Sequence, residues 1–178
     1  MTRKSRSAAS GRARAGRSAA RLAAVQALYQ IDLTGEAPNG VVAEFQDHRL
    51  GLDASRDDKP TSADVDEGLF NALVHGASSR RAEIDALVAP ALAAGWTLPR
   101  LEIVLRATLR AACFELLALT EVPARTVIDE YVTIAHMFFA GREPAFVNGI
   151  LDRLARRLRP DELADLRTGD GPGDDQGA

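Results

Sequence analysis

Apolar residues recur at steps of three and four along most of this chain, the repeat expected of helices that turn one side to a core. The clearest run is Val122 to Leu158, which the spacing predicts to be a helical hairpin. Its first arm places Val127, Ile128, Tyr131, Ile134, Ala135 and Phe138 on one side. Pro123 suits the first turn, where a missing amide proton costs little, and Ala140-Gly141 predicts the stop. Pro144 opens the second arm, whose stripe is Phe146, Val147, Ile150, Leu151, Leu154 and Leu158. Arg153, Arg156, Arg157 and Arg159 crowd its other side and last turn, where positive charge suits the helix dipole. Asn148-Gly149 interrupts the pattern. A glycine inside a helix costs about 1 kcal/mol relative to alanine, so it predicts close approach by another backbone or a ligand.

The same reading applies to the rest of the chain. From Arg17, Leu22, Val25, Leu28 and Tyr29 predict a helix that stops at Gly35. Val41, Val42 and Phe45 give a short helix extending toward Arg49-Leu50, and the charged DASRDDKPTSAD stretch reads as an exposed loop. Thr61 or Ser62 is placed to cap a helix with Val65, Leu69, Leu73 and Val74 inside and a break at Gly76. Another helix runs through Ile84, Leu87, Val88 and Leu92 to Gly95, and Trp96 falls at a turn. Pro99 is expected to open a long central helix with the stripe Leu101, Val104, Leu105, Thr108, Leu109, Ala112, Cys113, Leu116 and Leu117. No stretch alternates as a strand does. The fold class is all-α: a compact bundle of about seven helices, in two sub-bundles sharing the long helix.

Composition narrows the class further. A chain of 178 residues with 46% hydrophobic side chains suffices for one domain with a proper core. It has no apolar run of membrane-spanning length and no apolar segment of a secretory signal, so the expected location is cytoplasmic. The single cysteine, Cys113, sits at helical spacing among apolar residues and reads as an inert core thiol.

The net charge of −3 hides an asymmetry. Seven of the 22 basic side chains fall within residues 1–21, which hold no acidic one; the remaining 15 face 25 acidic residues, leaving the body near −10. Residues 1–16 are expected to be a disordered basic arm, 17–160 the helical domain, and 161–178 an acidic, mostly disordered tail. The arm reads either as a solubilising segment or as a phosphate-binding one. Arg14, Arg17 and Arg21 share a helix face, an arrangement suited to a row of phosphates, and Tyr29 lies two turns along as a half-buried core residue or a stacking platform.

Candidate catalytic chemistry is missing. His48, His75 and His136 are far apart in sequence and lack metal-ligand spacing, and there is no phosphate loop, nucleophile elbow or paired-cysteine motif. Asp129 and Glu130 are adjacent, so on a helix they point about 100° apart and make a solvated or partner-facing patch rather than a proton-sharing pair. These observations favour a helical binding protein over an enzyme and require neither metal nor cofactor.

The order of motifs then gives a resemblance. Arg17-x-x-Ala20-Arg21 leads into Ala24-Val25-Gln26-Ala27-Leu28-Tyr29, followed by Arg106-Ala107-Thr108-Leu109-Arg110, Phe114-Glu115-Leu116, Val122-Pro123, Val127-Ile128-Asp129-Glu130 and Phe146-Val147-Asn148-Gly149-Ile150-Leu151-Asp152. In this order they closely resemble the NusB family of bacterial transcription antitermination factors, from Arg17 to about Pro160. The resemblance implies two helical sub-bundles that bind the boxA RNA element of ribosomal RNA transcripts together with NusE, a small-subunit ribosomal protein. That assembly belongs to an RNA polymerase antitermination complex, and no catalysis is implied. Carried over by position, the RNA surface comprises Arg17, Arg21, Phe146 and Asn148, with Arg14 and Tyr29 beside it and Asp129 and Glu130 left for a protein partner. Some relatives carry a lysine where this chain has Ala145, and Arg142 or the basic arm is placed to supply that charge. The alternatives are an isolated domain like the one that begins certain ribosomal RNA cytosine methyltransferases, or a protein-only adaptor using Tyr131, Phe138 and Phe139.

Overall fold

The computed structural model describes residues 3–50 and 65–164, and every regular element among them is helical. Helices α1 (Arg3–Thr34) and α2 (Pro38–Glu44), the latter continued by a π-helical turn at Phe45–Leu50, precede α3 (Glu67–Ser79) and α4 (Arg81–Val88). Short 3-10 turns at Ala89–Ala91 and Leu98–Arg100 lead into α5 (Ile103–Ala118), α6 (Ala124–Phe138), α7 (Glu143–Leu158) and α8 (Pro160–Ala164). The all-α bundle is as expected, with eight α-helices among the described residues.

Helix α5 is the shared axis. Helices α1, α3 and α4 pack against it, and so do α6 and α7, which also pack on each other. Its segment from Leu105 to Leu116 is buried except at Arg106, and Leu117 is only half-buried. Most of the hairpin stripes are inside as the spacing predicts: Val127, Tyr131, Ile134 and Ala135 on α6 face Val147, Ile150, Leu151 and Leu154 on α7 within one apolar core, whereas Phe138 at the end of α6 is exposed and Phe146 and Leu158 are half-buried. Phe45 stacks on Phe70 at 5.8 Å between ring centres, joining α2 to α3. Cys113 is buried, and burial, helped by the carboxylates of Glu83 and Asp85, pushes its thiol up to about 12, so it stays protonated and inert.

Several boundaries differ from the sequence reading. Helix α1 begins at Arg3, so most of the segment expected to be a disordered arm is helical. Alanine and arginine are both strong helix formers, and the Asp66 amide donates to the Gly16 carbonyl at 3.1 Å, docking the helix on the start of α3. Helix α3 passes through Gly76 to Ser79, because Gly76 is a packing residue and not a stop: a Cβ there would lie 2.0 Å from the Phe114 ring. Gly76→Ala is therefore expected to lower stability by about 1–3 kcal/mol in a denaturant melt, despite alanine's better helix propensity. A variant as stable as the parent would show that the ring moves aside freely. Pro99 lies in a 3-10 turn, and the long helix starts only at Ile103. The caps expected of Thr61 or Ser62, and the loop around them, lie outside the described residues. The cap that α3 does have is Asp66, whose Oδ1 accepts from the Leu69 amide at 2.9 Å. The start of the expected acidic tail forms α8, with Leu163 buried; residues 165–178 lie outside the described residues.

Two polar assemblies lock the helices together. Arg81, Arg106 and Arg110 converge on Asp32 at 3.0, 3.1 and 2.6 Å, and Arg110 also forks onto Asp85. The other assembly closes the α5–α6 corner. Arg159, expected only to suit the dipole of its own helix, is buried and donates to the carbonyls of Glu115 (3.0 Å), Leu116 (2.7 Å), Leu119 (2.9 Å) and Val122. Among them the Leu116 carbonyl, in the last turn of α5, is one that no helical amide fills. Glu162, 3.3 Å from Arg159, accepts from the Ala124 amide at 2.7 Å and so serves the opposite need at the N-terminus of α6.

Candidate nucleic-acid interface

The basic stripe on α1 divides in two. Arg12, Arg14 and Arg17 are exposed and form no ion pair among the described residues. Arg21, on the same face, is 2% exposed: its Nε donates to both Glu115 oxygens at 3.1 and 3.0 Å and its Nη2 to one at 2.6 Å. Helices α5 and α6 lie across α1 at that level, covering Arg21 and leaving Arg14 and Arg17 open at the rim. Burial opposes the Arg21 charge, but Glu115 outweighs it and holds the guanidinium's pKa above its usual value. The expectation that Arg21 meets phosphate is thus corrected: its cationic end faces a buried carboxylate.

Glu115 is fully buried and completes its hydrogen bonding with the Tyr131 hydroxyl, which donates at 2.9 Å. Burial, with the Glu115 charge next, raises the Tyr131 pKa well above the tyrosine range. Tyr131 is therefore core and offers nothing to an adaptor surface, and Phe139 packs half-buried against the same core. Phe138 and Met137 are 40% and 62% exposed. Glu115 was the signal available in advance, a lone carboxylate within the apolar run Ala112-Cys113-Phe114-Glu115-Leu116.

Asp129 and Glu130 also part company. Glu130 turns toward α1, accepting from Ser18 Oγ at 2.6 Å and lying 3.5 Å from Arg21, so it is not half of a partner-facing patch. With Arg14, Arg17 and Asp66 it borders an open groove between α1, the start of α3 and the α5–α6 corner. Asp129 is exposed on the other side, in a shallow polar cleft with Arg125, Asn148, Asp152 and Arg156.

Phe146 and Asn148 lie on different surfaces of α7, two residues apart and so about 200° around the helix. Asn148 is exposed in the cleft beside Asp129. Phe146 is half-buried, with its ring centre 5.7 Å from that of Trp96 at an interplanar angle of 51°. Among the described residues Gly149 has no atom within 4 Å of the position of an added Cβ, so the close approach by another backbone that the sequence predicted is not made by any of them. Tyr29 is 38% exposed, about 18 Å along α1 from Arg17 at 1.5 Å per residue. Arg142, the residue before α7, is exposed and unpaired among the described residues. His75 and His136 are exposed, and no three potential metal ligands cluster among the described residues. No helix among them is long and apolar enough to cross a membrane.

Residues 18–156 match the NusB family. The transcription antitermination protein NusB of Maricaulis maris is 46% identical over 147 residues, 83% of this chain and 90% of that protein. Its counterpart in Novosphingobium aromaticivorans is 48% identical over 150 residues, 84% and 97% of the two chains. Among solved structures, T. maritima NusB is similar with a TM-score of 0.67 and 30% identity, covering 83% of this chain and 96% of that one. A structure of the antitermination factors NusB and NusE in complex with dsRNA gives 0.64 and 26%, covering 79% and 96%.

Proposed function

The chain belongs to the NusB family of transcription antitermination factors, and on that premise we propose that it binds boxA-type RNA of ribosomal transcripts through the open half of α1, together with NusE. The observation that carries this reading is the contrast among its arginines. Arg21, Arg80, Arg81, Arg106, Arg110, Arg156 and Arg159 are all within salt-bridge distance of carboxylates. Arg12, Arg14 and Arg17 are exposed with no such partner among the described residues, and unlike the other unpaired arginines (Arg100, Arg125, Arg142, Arg153 and Arg157) they stand together on one stretch of one helix, which leaves their combined field directed at solvent.

Single-stranded RNA needs that field for its phosphates and a ring for an unstacked base. Phe146 supplies the ring, and Arg142 supplies near it the charge that Ala145 withholds. Asn148 and Asp129 share a separate polar cleft, which we assign to the protein partner, with Tyr29 at the far end of the phosphate-binding helix. Family membership puts the chain among antitermination factors rather than enzymes. Work on nascent transcripts alongside RNA polymerase gives it a cytoplasmic site of action.

Arg14→Ala and Arg17→Ala test the reading. Each is expected to leave stability within about 0.5 kcal/mol, since neither side chain is buried or paired. Each should weaken boxA and scrambled single strands alike and flatten the salt dependence by about 0.7 in the log–log slope. Titrations of labelled RNA by fluorescence anisotropy, with and without NusE and with a duplex as competitor, measure both. Unchanged affinity and slope in the double variant would mean that the stripe is only a solvated face. Asp129→Ala should weaken the NusE complex and leave RNA affinity alone.

A further inference from the structure

Trp96 has no part in the reading above, yet its surroundings resemble a binding surface more than a cover. It is 51% exposed although it is the chain's single tryptophan and one of its largest apolar groups. Its position is built: Gly95 turns the chain with φ +86°, a conformation that favours glycine. The Trp96 amide donates to the Ala93 carbonyl at 3.0 Å, and Arg100 Nη1 donates to the Gly95 carbonyl at 3.3 Å. One side of the indole meets Phe146.

Charge and space complete the surface. Arg153, two turns beyond Phe146 on the same side of α7, is held beside the turn by a 2.7 Å bond to the Ala91 carbonyl. Arg100 and Arg153 are both exposed and pair with no carboxylate among the described residues. Gly149 sits between Phe146 and Arg153 at helical spacing, and the room where its side chain would be is empty. A helical glycine costs stability, and here no contact among the described residues requires it. On its other flank Trp96 borders a groove whose guanidiniums, Arg81, Arg106 and Arg110, are engaged by Asp32 and Asp85.

We propose that Trp96 and Phe146 form a two-ring ledge on which consecutive unstacked bases of single-stranded RNA lie, with Arg100 and Arg153 on the phosphates and Gly149 leaving room for the strand. The proposal rests on the RNA-binding reading and extends it to the turn before α5. Aromatic faces between guanidiniums accept any base, so the ledge adds affinity more than sequence preference.

The single tryptophan gives the test its own signal. Full-length protein is titrated with single-stranded boxA RNA while Trp96 emission is read directly, and binding is measured separately by the anisotropy of labelled RNA. The expected result is quenching that saturates together with the anisotropy, at least fivefold weaker binding by Trp96→Ala, and partial retention by Trp96→Phe. Gly149→Leu should melt no lower than the parent yet also bind at least fivefold more weakly, which separates loss of the surface from loss of the fold. If RNA binds while emission, Trp96→Ala and Gly149→Leu all behave as the parent, the ledge is wrong and the RNA reading stands. If no RNA binds, both fail. Quenching by NusE alone, with RNA producing none, would assign the surface to a protein and overturn the proposal.

Discussion

Arg21→Ala lowers the stability of the fold by about 3–5 kcal/mol, the usual consequence of removing one member of a buried ion pair. In a domain of this size that is a fall of roughly 6–20 °C in melting temperature. The loss comes from what is left behind. Glu115 is fully buried, and without Arg21 only the Tyr131 hydroxyl, among the described residues, reaches its charge. Replacing the whole set with apolar residues of similar volume, Arg21→Met with Glu115→Leu and Tyr131→Phe, should recover most of the stability, because no buried polar atom is then stranded. Thermal melts of the single and triple variants decide it. Arg21→Ala melting with the parent would mean that water or another side chain reaches Glu115 and that the pair is not a structural centre. The result also bears on function, because reduced RNA binding by Arg21→Ala would follow from damage to the junction of α1, α5 and α6. Arg14 and Arg17 are the positions where an effect on binding is an effect on the surface.

Arg159→Ala should be nearly as severe, at about 3 kcal/mol or more. One guanidinium donates to the Glu115, Leu116, Leu119 and Val122 carbonyls, and bonds made by a charged donor contribute about 1.5–3 kcal/mol each before the carbonyls left dry are counted. Lysine keeps the charge but cannot present a planar fork to several acceptors, so Arg159→Lys should restore less than half of the loss. Glu162→Gln should be mild by comparison, since an amide oxygen can still accept from Ala124. Chemical denaturation of the three variants checks the order. Lysine performing as well as arginine would reduce Arg159 to a charge near a helix end.

Much of this was legible in the sequence, and the exceptions share a cause. The stripes of α6 and α7 could be read because periodicity is local and the core takes whichever side is apolar. Gly76 could not, since its neighbour Phe114 comes from another helix and a glycine alone looks like a stop. Arg14, Arg17 and Arg21 have the same spacing on one face, and only the placement of α5 and α6 across α1 makes the last of them internal. Asp129 and Glu130 look alike as a pair, yet one serves Ser18 and Arg21 while the other faces solvent. The family motifs singled out Arg106, Arg110 and Glu115 without saying what they do, which is to hold helices together through partners far away in the chain.

The α5–α6 corner has a consequence for the order in which the protein is made. Helix α5 is synthesised before α6 and α7, but the groups that satisfy the Leu116 carbonyl in its last turn and the first amide of α6 sit on Arg159 and Glu162, just past the end of α7. A nascent chain that has exposed α1 to α6 therefore holds its central corner open to water on the ribosome, however well the earlier helices have collapsed. Translation normally lets the N-terminal part of a protein settle first. Here the middle waits for residues that follow α7: Arg21 and Tyr131 can already close on the Glu115 carboxylate, but the α5–α6 corner stays open until Arg159 and Glu162 reach it.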